Sequence, residues 1–486
     1  MPTKPNLLVL MSDQHHPHIM GCEGDPVVRT PYLDGLATRG VLFENCYCPA
    51  PLCVPSRMSF MTSRYPSDHE VWSNSCMLSS DIPTFAHGLG AAGYETALCG
   101  RMHFVGPDQR HGFEVHLVGT MSPTYIGGRN RSMPRELLDA TGQNRYAVEV
   151  AGPGRTGYQF FDEVVAEGCI EFLKERSRAS STGRRPFCLV AGFVLPHCPF
   201  VCPRDDFYYY LDRVALPVIP EGYFETLHPA VQLWRRNRGI EDLTEDEICR
   251  ARAGYYGLVT HFDRQVGKVL EALEESGFAE DTVILYTSDH GEMAGEHGMW
   301  WKSNFYEGSA SVPLIVSWPG RFASGERRSS IVNLVDLGPT MLEIAGADPL
   351  PDIAGRSLVP LLHSEDVEWP NETFSEHEPC KGVPATRMIR RGPWKLVHYE
   401  GYRPQLFNVD DDPEEFRDLG EDPRYEDIRT ELTQRVLADW SSSCMVDKLA
   451  QRTRAHSVLA KWFHAVRPPC PEQWVAPPQA TVFPDE

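Results

Sequence analysis

Four short apolar runs, each ending abruptly in polar and ionisable residues, limit what this chain can become. Asn6-Leu7-Leu8-Val9-Leu10-Met11 runs into Ser12-Asp13-Gln14, and Glu95-Thr96-Ala97-Leu98-Cys99 runs into Gly100-Arg101-Met102-His103. Phe187 to Leu195 runs into Pro196-His197, and Thr282 to Thr287 runs into Ser288-Asp289-His290. Continuous apolar runs of this length suit strands buried on both faces of a parallel sheet, where neither face alternates toward solvent. Open α/β sheets bind ligands beyond the carboxyl ends of their strands. Acids, imidazoles and a guanidinium delivered to one sheet edge are hard to explain as loop decoration.

Helical segments fall between the runs, so the chain reads as an α/β protein with its sheet covered on both faces. Thr30-Pro31 predicts the start of a short helix that Gly40 closes, and Thr244 with Glu247 forms a capping box ahead of a long helix ending near Ser276-Gly277. After Pro370 the character changes. Thr386 to His398 and Gln405-Leu406-Phe407 predict short antiparallel strands, followed by a helix from Ile428 to Trp440. A chain of 486 residues has room for one large domain and a smaller one. The boundaries read as 1–370 for the α/β domain, 371–440 for an α+β subdomain with a short antiparallel sheet, and 441–486 for a tail. Trp462, Trp474 and Phe483 make that tail apolar enough for a docking or oligomerisation arm, or for packing on its own domain.

A net charge of -21 argues against nucleic acid or an anionic membrane surface as the partner, so an anionic ligand must be captured by a local cationic pocket. No apolar run approaches the ~20 residues that span a bilayer. Leu7 to Met11 is too short for a signal-peptide core, which leaves a cytoplasmic location as the expectation. The 14 cysteines show no disulfide framework, and Cys46, Cys48, Cys99, Cys169, Cys188 and Cys249 read as reduced core residues.

Cys53-Val54-Pro55-Ser56-Arg57, preceded by Leu52 and followed by Met61-Thr62-Ser63-Arg64, resembles the signature of type I sulfatases. In that family the cysteine is oxidised after synthesis to formylglycine (3-oxoalanine), an aldehyde whose hydrate carries two hydroxyls on one carbon. The resemblance implies that one hydroxyl attacks a sulfuryl or phosphoryl centre while the other later expels the anion and restores the aldehyde. A buried free thiol in a chance pentapeptide is the ordinary alternative. Ser63 stands where the signature usually has glycine. Leu334 to Thr340, and Leu406-Phe407-Asn408 through Leu419, are similar to later sulfatase landmarks. His103 to Gln109, with His111-Gly112-Phe113, is similar to choline sulfatases. The resemblance covers most of the chain and implies an alkaline-phosphatase-like α/β/α sandwich.

The same resemblance assigns a site. Asp13, Asp289 and His290, with a hydroxyl from the modified Cys53, would hold one divalent metal ion. Many sulfatases carry paired acids after the first strand and Asp-Asn at the second position. Asp13-Gln14 and Asp289-His290 look more like choline sulfatases and phosphonate monoester hydrolases. An amide in place of a carboxylate, and an added imidazole, shift the expected metal toward Mn²⁺, with Ca²⁺ next. Arg57 lies one turn beyond the nucleophile, with Pro55 as a first helical residue, so the helix N-terminus would aim backbone N–H groups at a bound anion. Gly100-Arg101-Met102-His103 resembles a Gly-Lys-x-His element whose lysine contacts the diol and whose histidine takes its reserve proton. Arginine keeps the charge but cannot give up a proton, so that role falls to His103. His197 and Lys302 match positions that hold the ester and protonate the leaving oxygen. Asn74 matches an anion-contacting asparagine, and Gln14 is placed among the substrate contacts. Ordinary alternatives stay open: helix capping for Asp13 and Asp289, a salt bridge for Arg101, a satisfied core histidine for His197, a solvated face for Lys302.

These residues predict a sulfuric ester hydrolase in which Arg57, Arg101 and Lys302 balance charge on the sulfuryl oxygens and His197, with Lys302, protonates the departing alcohol. The nearest rival is the same apparatus acting on phosphonate monoesters or phosphodiesters. A non-catalytic binding protein on the same scaffold and a thiolate-plus-metal enzyme with Cys53 unconverted stand further off. The expected partners are a small anionic sulfate ester, a formylglycine-generating enzyme, and further copies of the chain in a homo-oligomer. Trp72, Trp300 and Trp301 would line a pocket for an aromatic or quaternary ammonium group, or belong to the core.

Overall fold

A computed structural model describes residues 4–179, 184–364 and 366–482, so Phe483 lies outside the described residues. In chain order the first eight strands are β1 (Asn6–Asp13), β2 (Val41–Tyr47), β3 (Glu95–Gly100), β4 (Val115–His116), β5 (Gly152–Pro153), β6 (Phe187–Pro196), β7 (Val201–Cys202) and β8 (Thr282–Ser288). They are followed by β9 (Leu314–Ser317), β10 (Glu326–Asn333), β11 (Glu372–His377), β12 (Thr386–Arg391), β13 (Trp394–Tyr399) and β14 (Gln405–Asn408). The main sheet has the order β10-β2-β9-β8-β1-β6-β3-β4, while β5 and β7 form a separate ribbon. Strands β8, β1, β6 and β3 are adjacent and parallel, so the four apolar runs deliver their polar ends to one edge. Strand β9 is antiparallel to both β8 and β2. The sheet is therefore mostly parallel, as expected.

The continuous apolar character of β1 has a direct cause. Leu8 and Leu10 point into one core layer, Leu7, Val9 and Met11 into the other, and all five are fully buried. At about 1.5–3 kcal/mol for each fully buried aliphatic side chain, an exposed face on this strand would forfeit much of its stabilisation. The first layer is closed by helices Pro31–Thr38, Gly157–Arg178 and Glu245–Glu275, through Leu33, Phe161, Val165, Val259 and Phe262. Helices Cys53–Thr62, Phe85–Ala91 and Leu337–Ala345 close the second through Met58, Phe60, Leu89 and Met341. The result is an α/β/α sandwich.

Local signals hold where they have a mechanism. The long helix starts at the predicted capping box, with Glu247 N donating to Thr244 Oγ1 (3.2 Å) and Thr244 N donating to Glu247 Oε2 (2.7 Å). Helix Pro31–Thr38 starts after Thr30 without a side-chain cap bond, proline at its first position being enough. Strands β11 to β14 form an antiparallel sheet covered by helix Glu426–Leu437, with Phe374, Ile389, Leu396, Leu406, Leu432 and Val436 between them. This helix begins two residues before Ile428 and ends short of Trp440, which is buried in a small cluster with Trp72 and Met445. The small sheet is joined to the large one by buried charge: Lys395 of β13 meets Glu307 (2.7 Å) and Glu415, and Tyr47 of β2 donates to Glu307 and accepts from Arg390 Nε (3.1 Å).

Beyond helix Ser442–Val466 the tail returns to its own chain. Thr120 N donates to Glu472 O and Trp474 N donates to Thr120 O, both at 2.8 Å, and the Trp474 ring meets Phe160 and Phe161. Trp72, Trp300 and Trp301 are all buried, which makes them core and not an open aromatic wall. The described cysteines are unpaired and mostly buried, although Cys249 is only half-buried on the outer side of its helix. No helix among the described residues is long and apolar enough to cross a membrane.

One glycine sets the site. Arg101 N donates to Gly192 O (2.7 Å), and a Cβ on Gly192 would stand 1.9 Å from Arg101 O. Both contacts are backbone, so neither can swing away. Gly192→Ala is expected to push Arg101 off the β6 edge, destabilise the fold by the 1–3 kcal/mol typical of overpacking (about that range) and cut activity. Denaturant unfolding checks the first, and unchanged unfolding with full activity would show the backbones can part.

Candidate active site

The edge formed by β8, β1, β6 and β3 holds a buried cluster of charges. Asp13 ends β1, and Asp289 and His290 follow β8; all three are fully buried. Arg57 lies between the two acids. Its Nε donates to Asp289 Oδ2 (2.7 Å), Nη2 to Asp13 Oδ2 (3.0 Å) and Ser12 O (3.2 Å), and Nη1 to Arg101 O (2.8 Å). Four of its five N–H donors are thus engaged by the protein, so Arg57 braces both carboxylates. Arg101 Nε adds a second ion pair to Asp13 Oδ2 (2.9 Å).

These braces leave Asp13 Oδ1 in open company. Its neighbours are Cys53 Sγ and His290 Nε2 at 3.7 Å, Lys302 Nζ at 3.9 Å and His197 Nε2 at 4.0 Å. Burial would raise the Asp13 carboxyl, but Arg101, His197, Arg57 and Lys302 hold it well below the usual carboxylate range. His290 Nδ1 donates to Gly291 O (3.0 Å), which leaves the lone pair of Nε2 facing the cluster. Burial lowers this imidazole to about 4, so it is neutral. Ligand atoms of Asp13, Cys53, Asp289 and His290 all lie within 4.8 Å of one another. Two carboxylates whose outer oxygens are already neutralised, and a correctly oriented neutral imidazole, are a donor set that fits a divalent cation.

Cys53 is the first residue of its helix, so the helix starts two residues before Pro55. Proline is tolerated anywhere in a first turn, where the N–H groups have no intrahelical partner. Asn74, exposed, accepts a hydrogen bond from Val54 N (2.9 Å) at this N-terminus. Cys53 Sγ lies 3.2 Å from both His290 Nε2 and Lys302 Nζ. Lys302 is buried, not on a solvated face, and also donates to Gln14 Oε1 (2.7 Å) and His197 Nε2 (2.9 Å). Burial disfavours its ammonium, but Cys53, Asp13 and Asp289 raise its pKa above the ordinary lysine value. His197 Nδ1 donates to Cys198 O (2.8 Å), so Nε2 accepts; burial and then Lys302 lower its pKa. His103, half-buried, accepts from Arg101 Nη2 (2.7 Å) at Nδ1, and burial and Arg101 push its pKa well below 6.5.

The backbone here is unusual. Gln14, His103, Trp301 and Ser303 have φ of 70°, 61°, 62° and 66° without being glycine. Such residues persist where the surroundings over-determine them. Gln14 N donates to Asp289 Oδ1 (3.2 Å) and its carbonyl accepts from Tyr255 Oη (2.8 Å). The structure thus brings together Asp13, Gln14, Cys53, Arg57, Arg101, His103, His197, Asp289, His290 and Lys302, with Asn74 outside at the helix start. Sequence reasoning missed Glu292, buried behind Gln14; the signal available was an acid two residues after His290.

A sequence model of the sulfatase family matches residues 5–347, well over half of the chain. The chain belongs to the sulfatase family. A second model, for the C-terminal part of N-sulphoglucosamine sulphohydrolase, matches residues 295–441 of the sulfatase. Among curated proteins it is 36% identical over 430 residues to a choline-sulfatase of Rhizobium meliloti (strain 1021), covering 87% of this chain and 83% of that protein. It is 29% identical over 467 residues to arylsulfatase K of Danio rerio, covering 90% and 84%. Among solved structures, the phosphonate monoester hydrolase of Silicibacter pomeroyi superposes with a TM-score of 0.74 at 25% identity, covering 89% of the sulfatase and 94% of that chain.

Proposed function

We propose that this sulfatase hydrolyses sulfate monoesters with a nucleophile made from Cys53, assisted by one divalent metal ion held by Asp13, Asp289, His290 and residue 53. The observation that carries the reading is the place of Cys53 Sγ, at a helix N-terminus and 3.2 Å from both His290 Nε2 and Lys302 Nζ. Sγ of the unmodified chain stands in for the oxygens of a formylglycine hydrate, which in the matured protein would supply an attacking hydroxyl and a second one to release sulfate. A cation held by Asp13, Asp289, His290 and residue 53 would supply Lewis-acid stabilisation of developing negative charge. The imidazole among the ligands supports Mn²⁺ over Ca²⁺, which prefers oxygen alone.

The chain's own residues do the rest. Arg57 holds both carboxylates with their inner oxygens toward residue 53. Arg101 and Lys302, both buried, offer charge to the sulfuryl oxygens where such charge counts most. Lys302 carries the proton for the departing oxygen, and His197 Nε2 fixes its direction. His103 takes the reserve proton once its Nδ1 releases Arg101. Asn74 steadies the helix N-terminus that faces the anion. A second reading, phosphonate monoester hydrolysis at the same site, is favoured by the Asp13-Gln14 and Asp289-His290 pairs and by the superposed phosphonate monoester hydrolase.

Protein produced alongside a formylglycine-generating enzyme is expected to carry an aldehyde at position 53, read by mass spectrometry of the peptide spanning it, and to turn over 4-nitrophenyl sulfate faster than a 4-nitrophenyl phosphonate. A persistent thiol would count against the mechanism. Faster phosphonate cleavage would put the second reading first.

A further inference from the structure

The amide of Gln14 lies between the Lys302 ammonium, which can only donate, and a carboxyl oxygen of Glu292. Lys302 Nζ has donors alone, so the Gln14 atom it meets at 2.7 Å must be the carbonyl oxygen. Gln14 Nε2 then needs an acceptor, and it donates to Glu292 Oε2 at 2.5 Å. Glu292 is fully buried, and its other oxygen accepts from the backbone N–H groups of Ala294 (2.9 Å) and Trp301 (2.5 Å). Backbone amides cannot exchange roles, so Glu292 has a single orientation, and with it so does Gln14. Trp301 is also the residue before Lys302, so the same carboxylate fixes the start of the lysine's own segment.

We infer that Glu292 is a positioning residue which, by fixing the orientation of the Gln14 amide, aims the Lys302 ammonium at the leaving-group side of residue 53. The inference rests on the proposed role of Lys302 as proton donor. Replacing Glu292 by Gln is nearly isosteric but puts an N–H₂ where Gln14 Nε2 now donates. The cheapest relief is a flip of Gln14, which turns its own N–H₂ toward the Lys302 ammonium, donor against donor. Lys302 then loses one of the three acceptors that hold it (Gln14 Oε1, Cys53 Sγ, His197 Nε2).

The test separates positioning from mere structure by its dependence on the leaving group. Kinetics are measured on aryl sulfates running from nitrophenyl to methoxyphenyl, since the poorest leaving groups need the proton most. In Glu292→Gln, kcat is expected to fall roughly tenfold to 100-fold for methoxyphenyl sulfate and less than about threefold for nitrophenyl sulfate, a part of the roughly 10²- to 10⁴-fold that general acid catalysis supplies. KM and bound metal per chain should stay at parental values, because no proposed ligand is touched. The swap Gln14→Glu with Glu292→Gln restores an acceptor for Lys302 and should recover most of the loss. Gln14→Met, which deletes the link without disturbing Glu292, should reproduce the steep dependence if Glu292→Gln proves too unstable to assay. A uniform loss across the series, or no rescue by the swap, would overturn the inference. Lys302→Met is the reference: if it too shows no dependence on leaving group, the role of Lys302 itself is wrong.

Discussion

Alanine at position 53 is expected to lower kcat/KM for sulfate esters by about 10⁴- to 10⁶-fold, the scale on which loss of a covalent nucleophile is felt. The fold should survive, because the change removes one sulfur atom from a side chain that packs against polar groups and not against the apolar layers. Serine at the same position gives a sharper result. Its hydroxyl occupies the attacking position, but a serine sulfate ester has no second hydroxyl on the same carbon to expel the anion. Cys53→Ser should therefore release one equivalent of 4-nitrophenol per site and stop, with the sulfate retained on the Cys53 peptide of the variant. Pre-steady-state absorbance and mass spectrometry read both halves. Steady turnover by the serine variant would show that water, not a second hydroxyl, releases sulfate.

The second large effect belongs to Arg57. Its guanidinium is fully buried between two fully buried carboxylates. Removing one partner of a buried ion pair leaves uncompensated charge and costs about 3–5 kcal/mol. Arg57→Met is expected to lose that much, read as a lower denaturant midpoint at unchanged slope. The loss should be greatest in chelator-treated protein, where Asp13 and Asp289 face each other with no cation between them. Saturating Mn²⁺ should recover part of it, because a ligand that binds only the folded state stabilises that state by mass action. Equal stability of parent and variant without metal would show that the carboxylates do not depend on Arg57.

Much of this was legible locally. The strands were readable because burial on both faces leaves an unbroken apolar run, and the 245–275 helix because Thr244 and Glu247 satisfy its first N–H groups wherever the helix lies. Most site residues were legible as strand ends or within the Cys53 pentapeptide, whereas Lys302 and Asn74 were legible only through the family resemblance. Roles were less so. Arg57 was expected against the sulfuryl oxygens, and its hydrogen bonds to both buried carboxylates could be seen only once the chain was folded. Glu292 passed unnoticed because an acid in a polar loop looks like any solvated acid until its burial is known.

By itself, then, the sequence determined which residue types stand at the ends of which strands, since hydrophobic periodicity, capping and the Cys53 pentapeptide act over a few neighbouring residues. Which of these residues meet depends on how the whole chain packs. The order β8-β1-β6-β3 makes Asp289, Asp13, His197 and Arg101 neighbours although Asp13 and Asp289 are 276 positions apart. That order is set by the packing of two apolar layers against one sheet, a property of the whole chain. Charge at such an edge is tolerated because each buried group finds its counter-charge there, and no stretch of sequence read alone contains both partners.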